Sequence, residues 1–261
     1  MDKKSYAILT ASQKGGVGKT IIAVNVTAAL RTAGYDVLLV DTDVANPSVG
    51  AQLGMPNASP GYAEVATGKT DIQDALIVYE PTGFLIMPAG GKAATLNLST
   101  EEFNRFYSKV KQLNFDFVVF DTPPGASLTG ALKNFDEALI VTTPEESSVY
   151  GAQRLSQSYN EYHLAHKLVI NRVKSDKFEL DEEKIEKIYG DIAYSMLPED
   201  EVVTESESKH IPAYLLNRKS LFSIAVDDLC RSYTLKAGEP SAESKFKAGG
   251  FSKFKRFFGM K

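Results

Sequence analysis

Ser12-Gln13-Lys14-Gly15-Gly16-Val17-Gly18-Lys19-Thr20 follows an apolar run, Tyr6–Ala11, that reads as a buried strand. It precedes a helical stretch, Thr20–Ala33, that Gly34 stops. Strand, glycine-rich loop and helix in this order form a cradle for phosphate. Glycines let successive N–H groups converge on an anion, and the helix N-terminus adds partial positive charge. Lys19 is placed to reach the β- and γ-phosphates and Thr20 to put a hydroxyl on Mg²⁺. The strict pattern G-x-x-x-x-G-K-[ST] is not met, because Gln13 stands where its first glycine belongs. A second loop lysine, Lys14, is electrostatically redundant unless it serves another phosphate or another subunit's nucleotide.

Outward from the loop, short aliphatic runs alternate with longer helical patterns. Strands are expected at Val37–Val40, Phe84–Met87, Phe115–Phe120, Ala138–Val141 and Leu168–Ile170. Helices are expected near Glu101–Leu113, Ser147–Tyr162, Glu182–Tyr189 and Leu221–Leu235. Such alternation implies an α/β fold, a mostly parallel sheet with helices on both faces. The 261 residues are 43% hydrophobic and 24% charged, a globular composition. No apolar run approaches the ~18–20 residues of a membrane span, and no secretory signal is expected at the N-terminus. The single cysteine, Cys230, excludes a disulfide framework and any thiolate cluster within one chain. His163, His166 and His210 show no metal-ligand spacing. A cytoplasmic location is the expectation.

Two further segments carry chemistry. Phe117-Val118-Val119-Phe120-Asp121 is a buried strand ending in an acid, the pattern of a Walker B element, with Asp121 holding Mg²⁺ through a water. Leu168-Val169-Ile170-Asn171 ends a late strand in an amide, whose donor and acceptor suit the edge of adenine. Lys14-Gly15-Gly16-Val17-Gly18-Lys19-Thr20 resembles the deviant Walker A motif of the MinD/ParA ATPases, P-loop NTPases, although Ile21 replaces the usual second threonine, outside the phosphate cradle. The resemblance covers about residues 5–235. It implies ATP and Mg²⁺ as cofactors and hydrolysis of ATP to ADP and phosphate. Nucleotide binding would fall to Gln13, Lys14, Gly15, Gly16, Val17, Gly18, Lys19 and Thr20. Lys14 would cross to the partner's phosphates in an ATP-dependent homodimer, acting with Lys19 and Asp43 in catalysis. By the same resemblance Asp43 orients the attacking water, and Asp41 stands behind the metal's ligands. Gly125, in Thr122-Pro123-Pro124-Gly125, would turn its N–H toward the γ-phosphate. Pro198, in Leu197-Pro198-Glu199-Asp200, would contact the base.

The charge is unevenly spread. Residues 245–261 hold five lysines, one arginine and no acid, which leaves −10 on residues 1–244 out of a total of −4. The chain divides into an ATPase domain (1–236), a small, polar, proline-containing linker (237–245) and a tail (246–261). At ~100° per residue, Phe251, Phe254, Phe257 and Phe258 fall within roughly a 120° arc, with Lys253, Lys255 and Arg256 outside it. That is the composition of an amphipathic helix at an anionic membrane surface. Two tails on one dimer would gain avidity of about 10²–10⁴. MinD proteins carry a similar tail. The expectation is therefore a dimerising ATPase, peripheral on the cytoplasmic face of the cell membrane. It would position a division site or surface appendage with an activating or cargo protein as partner.

The alternative within this fold is a ParA-type ATPase that partitions DNA or cargo. It needs a basic face, and the −10 body makes nucleic acid an unfavourable partner. An iron–sulfur carrier would need more than one cysteine. A small-molecule ligase gives the second loop lysine and the tail no purpose. A non-hydrolysing nucleotide adaptor would not need the acids at 43 and 121.

Overall fold

The computed structural model describes residues 5–56, 58–91, 98–125, 129–174, 182–190, 192–240 and the backbone of 255–257. Nine strands occur among them: β1 (Tyr6–Ala11), β2 (Val37–Asp41), β3 (Ile77–Tyr79), β4 (Phe84–Met87), β5 (Phe117–Asp121), β6 (Glu137–Thr142), β7 (His166–Val173), β8 (Tyr194–Pro198) and β9 (Lys255–Phe257). The helices are α1 (Lys19–Thr32), α2 (Val49–Gln52), α3 (Tyr62–Ala66), α4 (Thr100–Gln112), α5 (Glu146–Glu161), α6 (Glu182–Tyr189), α7 (Glu201–Lys209), α8 (Ala213–Leu216) and α9 (Leu221–Ala237). The strands form one sheet in the order β8-β7-β6-β1-β5-β2-β4-β3-β9. From β8 to β4 all pairs are parallel, and β3 is antiparallel to β4. The doubly covered α/β architecture read from the sequence is the one observed.

Aliphatic residues on both faces of each strand explain the layering. Leu9, Val40, Phe120 and Ile140 pack with α4, α5 and α6 in one cluster, whereas Ile8, Leu39, Val119 and Leu139 pack with α1, α8 and α9 in the other. Eleven of the 14 residues of α1 are buried, so it is a core element rather than a half-wet surface helix.

The far end of the sheet, away from the strands' C-terminal ends, is held by a polar knot. Glu137 Oε2 accepts hydrogen bonds from Tyr6 Oη and Lys236 Nζ, both at 2.8 Å, and its Oε1 lies 3.1 Å from Lys167 Nζ. This ties the last turn of α9 to β1, β6 and β7. Burial alone would raise the Glu137 carboxyl, but the bonds from Lys236 and Tyr6 and the charge of Lys167 outweigh it and hold it below the ordinary value of 4.5. A depressed acid stabilises the fold above its unfolded pKa, and that contribution is lost as pH falls through the folded one. Glu137→Gln is therefore expected to cost about 3 kcal/mol at pH 7 in urea unfolding. The deficit should shrink at pH values below the ordinary glutamate range; equal midpoints at pH 7 would contradict this.

Two tail expectations are corrected. The linker's first residues belong to the body: α9 runs through Ala237, and the Gly238 carbonyl accepts from Tyr35 Oη at 2.5 Å. The amphipathic helix expected over 246–261 does not hold at Lys255, Arg256 and Phe257, which form β9, parallel to β3. The physical reason is that β3 has β4 on one side only, leaving a row of backbone donors and acceptors for an extended segment to pair with. Phe251, Lys253, Phe254 and Phe258 lie outside the described residues.

Candidate functional site

β1 sits between β5 and β6, and its C-terminal end opens into the phosphate loop, where parallel sheets bind ligands. A cleft of about 390 Å³ lies there, lined by Gly15, Gly16, Gly18, Lys19 and Thr20 from the loop and by Asp43 from the segment after β2. Gly18 caps α1 at φ +95°, and a Cβ on it would lie 2.2 Å from the Asn171 side-chain nitrogen. Glycine is required there by both conformation and space. Lys19 is only 8% exposed and lines the cleft.

The acids stand side by side, because Asp41 and Asp121 are paired in register across β2 and β5. Asp121 Oδ2 accepts from Thr20 Oγ1 at 2.6 Å, and Thr20 Oγ1 lies 2.7 Å from Ser48 Oγ. Asp41 accepts the backbone N–H groups of Asp43, Ser48 and Val49 at 3.0–3.1 Å, so it shapes the loop that presents Asp43 and starts α2. Burial, and for Asp41 the neighbouring Asp121 charge, push both carboxyls well above the ordinary range; the Thr20 bond and Lys19 offset this in part at Asp121. Two crowded, buried carboxyls beside two hydroxyls are an all-oxygen donor set short of positive charge. That set fits Mg²⁺, which Thr20 and, through water, Asp121 would hold, with Asp41 behind them.

Asp43 is 7% exposed, and its Oδ1 accepts the Asn46 N–H at 2.9 Å. Lys14 lies elsewhere. Its Nζ donates to Ser147 Oγ at 2.6 Å and Ser148 Oγ at 3.2 Å, on the first turn of α5, and it does not line its own cleft.

Several expected ligands have other duties in this structure. Gly125, at φ +65°, gives its N–H to the Ser12 carbonyl at 2.8 Å rather than to the cleft, and the neighbouring Pro124 supplies the wall. Asn171 donates one amide hydrogen to the Val17 carbonyl at 2.9 Å, bracing the loop, and it is not among the residues lining the cleft. Pro198 ends β8 opposite Val173 and does not line the cleft. Gln13 packs toward α5, where a Cβ on Gly151 would come within 3.2 Å of its own Cβ. Val17 is buried and contributes its carbonyl. Ile21, read as outside the cradle, is part of the cleft wall.

Sequence reasoning missed Arg172, Ser48 and Glu207, all of which line the cleft. Arg172 stands at φ +63°, where the β7–β8 register shifts between Asn171 and Val173. A non-glycine residue held in that region stores about 1–3 kcal/mol of backbone strain. Ser48 adjoined a motif already in view. Glu207 comes from the polar helix α7 and left no local signal.

Comparison with known proteins bears on this geometry. The family model ParA, described as an NUBPL iron-transfer P-loop NTPase, matches residues 3–202. The septum site-determining protein MinD of Bacillus subtilis is 28% identical over 98% of this chain and 98% of its own length. An uncharacterized ATP-binding protein of Methanocaldococcus jannaschii is 30% identical over 98% and 99%. Among solved structures, the MinC:MinD cell division complex of Aquifex aeolicus aligns with a TM-score of 0.77 and 26% identity, covering 93% of this chain and all of that one. MinD of Pyrococcus horikoshii, solved with Mg-ADP, has the same fold at a TM-score of 0.78 and 24% identity, covering 90% and 98%.

Proposed function

The chain belongs to the ParA/MinD family of P-loop NTPases, and from that premise we propose that it hydrolyses ATP as a homodimer whose two C-terminal tails hold it reversibly on an anionic membrane. One observation carries this most. Lys14 stands outside the cleft of its own chain, while Lys19, Thr20 and Asp43 line the cleft and Asp121 holds the Thr20 hydroxyl from behind it.

In this reading Lys19 and the loop N–H groups bind the β- and γ-phosphates, and Thr20 and Asp121 hold Mg²⁺, which supplies charge neutralisation on the transferred group. Asp43 orients water, and the partner's Lys14 completes the charge complement. The relatives named MinD make placement of a cell-division site the favoured output, with an activating or cargo protein as the further partner. Iron transfer, part of the matched family's description, is a poor fit. The lone Cys230 is 4% exposed on α9, and burial pushes its thiol up, away from thiolate character. A ParA-type role on DNA is the competing output, and the −10 body disfavours it.

Phosphate release and co-sedimentation with vesicles rich in phosphatidylglycerol test the scheme. The full chain with ATP is expected to bind vesicles at least tenfold more tightly than with ADP, by tail avidity. A chain ending at Ser244 should still bind ATP but stay in the supernatant. Equal sedimentation of both chains would refute the tail assignment, and absence of phosphate release would refute hydrolysis.

A further inference from the structure

We propose that the free edge of β3 is a docking strip for the chain's own C-terminal segment, so that strand pairing and a lipid surface compete for the same tail residues. The lipid half rests on the function proposed above; the docking half rests on the sheet itself. β9 pairs parallel with β3 in a defined register, Ile77 with Lys255, Val78 with Arg256 and Tyr79 with Phe257. Without β9, β3 would be the sheet's edge.

Edge strands recruit extended segments through main-chain hydrogen bonds. This edge is favourable ground, because Ile77, Val78 and Tyr79 are all buried and Tyr79 stacks on Phe84 with ring centres 4.9 Å apart. Residues 241–254 give enough chain, up to about 50 Å when extended, to reach it from the end of α9. Tethering makes the contact intramolecular, with an effective concentration near the millimolar range, so even three paired residues can close it.

The contact is also built to open. It is short, three paired residues at the margin of the sheet, and so contributes few main-chain hydrogen bonds to hold it. Lys255, Arg256 and Phe257 are among the residues whose spacing suits a helix at a lipid surface, and they cannot be strand and helix together. If the docked form outweighs the free form by a factor K, the apparent affinity of one tail for lipid falls by 1 + K.

Hydrogen exchange and a disulfide trap test this. On the native sequence, removal of residues after Ser244 is expected to speed amide exchange at Ile77–Tyr79 about tenfold, with the β1 amides unchanged. Unchanged exchange at β3 would overturn the strip. In a Val78→Cys, Arg256→Cys chain, mild oxidation should give an intrachain disulfide, because paired strands hold Cα atoms within bonding range. An interchain product instead would overturn docking within one chain. The oxidised chain should bind phosphatidylglycerol vesicles about tenfold more weakly than the same chain after dithiothreitol. Equal binding by the two would overturn the competition. If exchange and trapping succeed while neither form binds vesicles, the lipid reading falls and the competition with it, and the docking strip stands.

Discussion

With Lys14 replaced by alanine, ATP is expected to bind as before while its turnover falls about a thousandfold and the ATP-dependent dimer is lost. The expectation comes from where the ammonium is. Lys19 is the cation at the home cleft, only 8% exposed, and Lys14 is hydrogen-bonded to Ser147 and Ser148 outside it. Deleting Lys14 removes two hydroxyl contacts from one chain, to exposed Ser147 and buried Ser148, which is a small loss for a monomer. Across a dimer it would remove a full charge from the transition state, where a cation supplied by a second chain is worth about 10³–10⁵ in rate. Titration with a fluorescent ATP analogue, light scattering and phosphate release separate the three effects. Undiminished turnover in the variant would end the assignment.

Asp43→Ala is expected to lower turnover about 10²- to 10⁴-fold and leave an ATP-bound dimer on vesicles. Asp43 is buried at the cleft, with one carboxylate oxygen occupied by the Asn46 N–H. The second oxygen, with no hydrogen bond in the described structure, is the one available to a water. Alanine also removes the turn-forming bond to Asn46, so Asp43→Asn serves as the control. It keeps an acceptor for Asn46 but loses the negative charge, and its turnover should fall to a similar degree. Rapid hydrolysis by both variants would exclude Asp43 from the chemistry.

Much of this was legible in the sequence because it is written locally. The phosphate loop needs glycines at fixed places, and short apolar runs such as those of β1, β2 and β5, with their β-branched and aromatic residues, suit strands covered on both faces. The elements that were missed are short or lack a period. β3 has three residues, α2 and α8 have four, and α3 has five, too few for alternation or helical spacing to register. In α7, Glu201–Lys209, the buried residues are Val202 and Ser206, so its pattern reads as polar loop. At the site, the residue types at 125 and 171 pointed to the right neighbourhood. What their N–H groups actually bond, Ser12 and Val17, depends on chain segments over a hundred residues away. Arg172 and Glu207 reach the cleft only through a register shift and a helix packed from afar, neither of which a local window contains.

The burial of α1 sets how news of the nucleotide can reach the tail. At about 1.5 Å per residue the helix is a rod of roughly 21 Å. Its first turn carries Lys19 and Thr20, and just past its other end Tyr35 grips Gly238, where the chain leaves α9 on its way to the tail. Wedged along nearly all its length, such a rod has no room to shift or flex, so its two ends keep their places. Loading one isolated copy would leave its tail anchored as before. The message would have to be read by stoichiometry, in how many copies are joined.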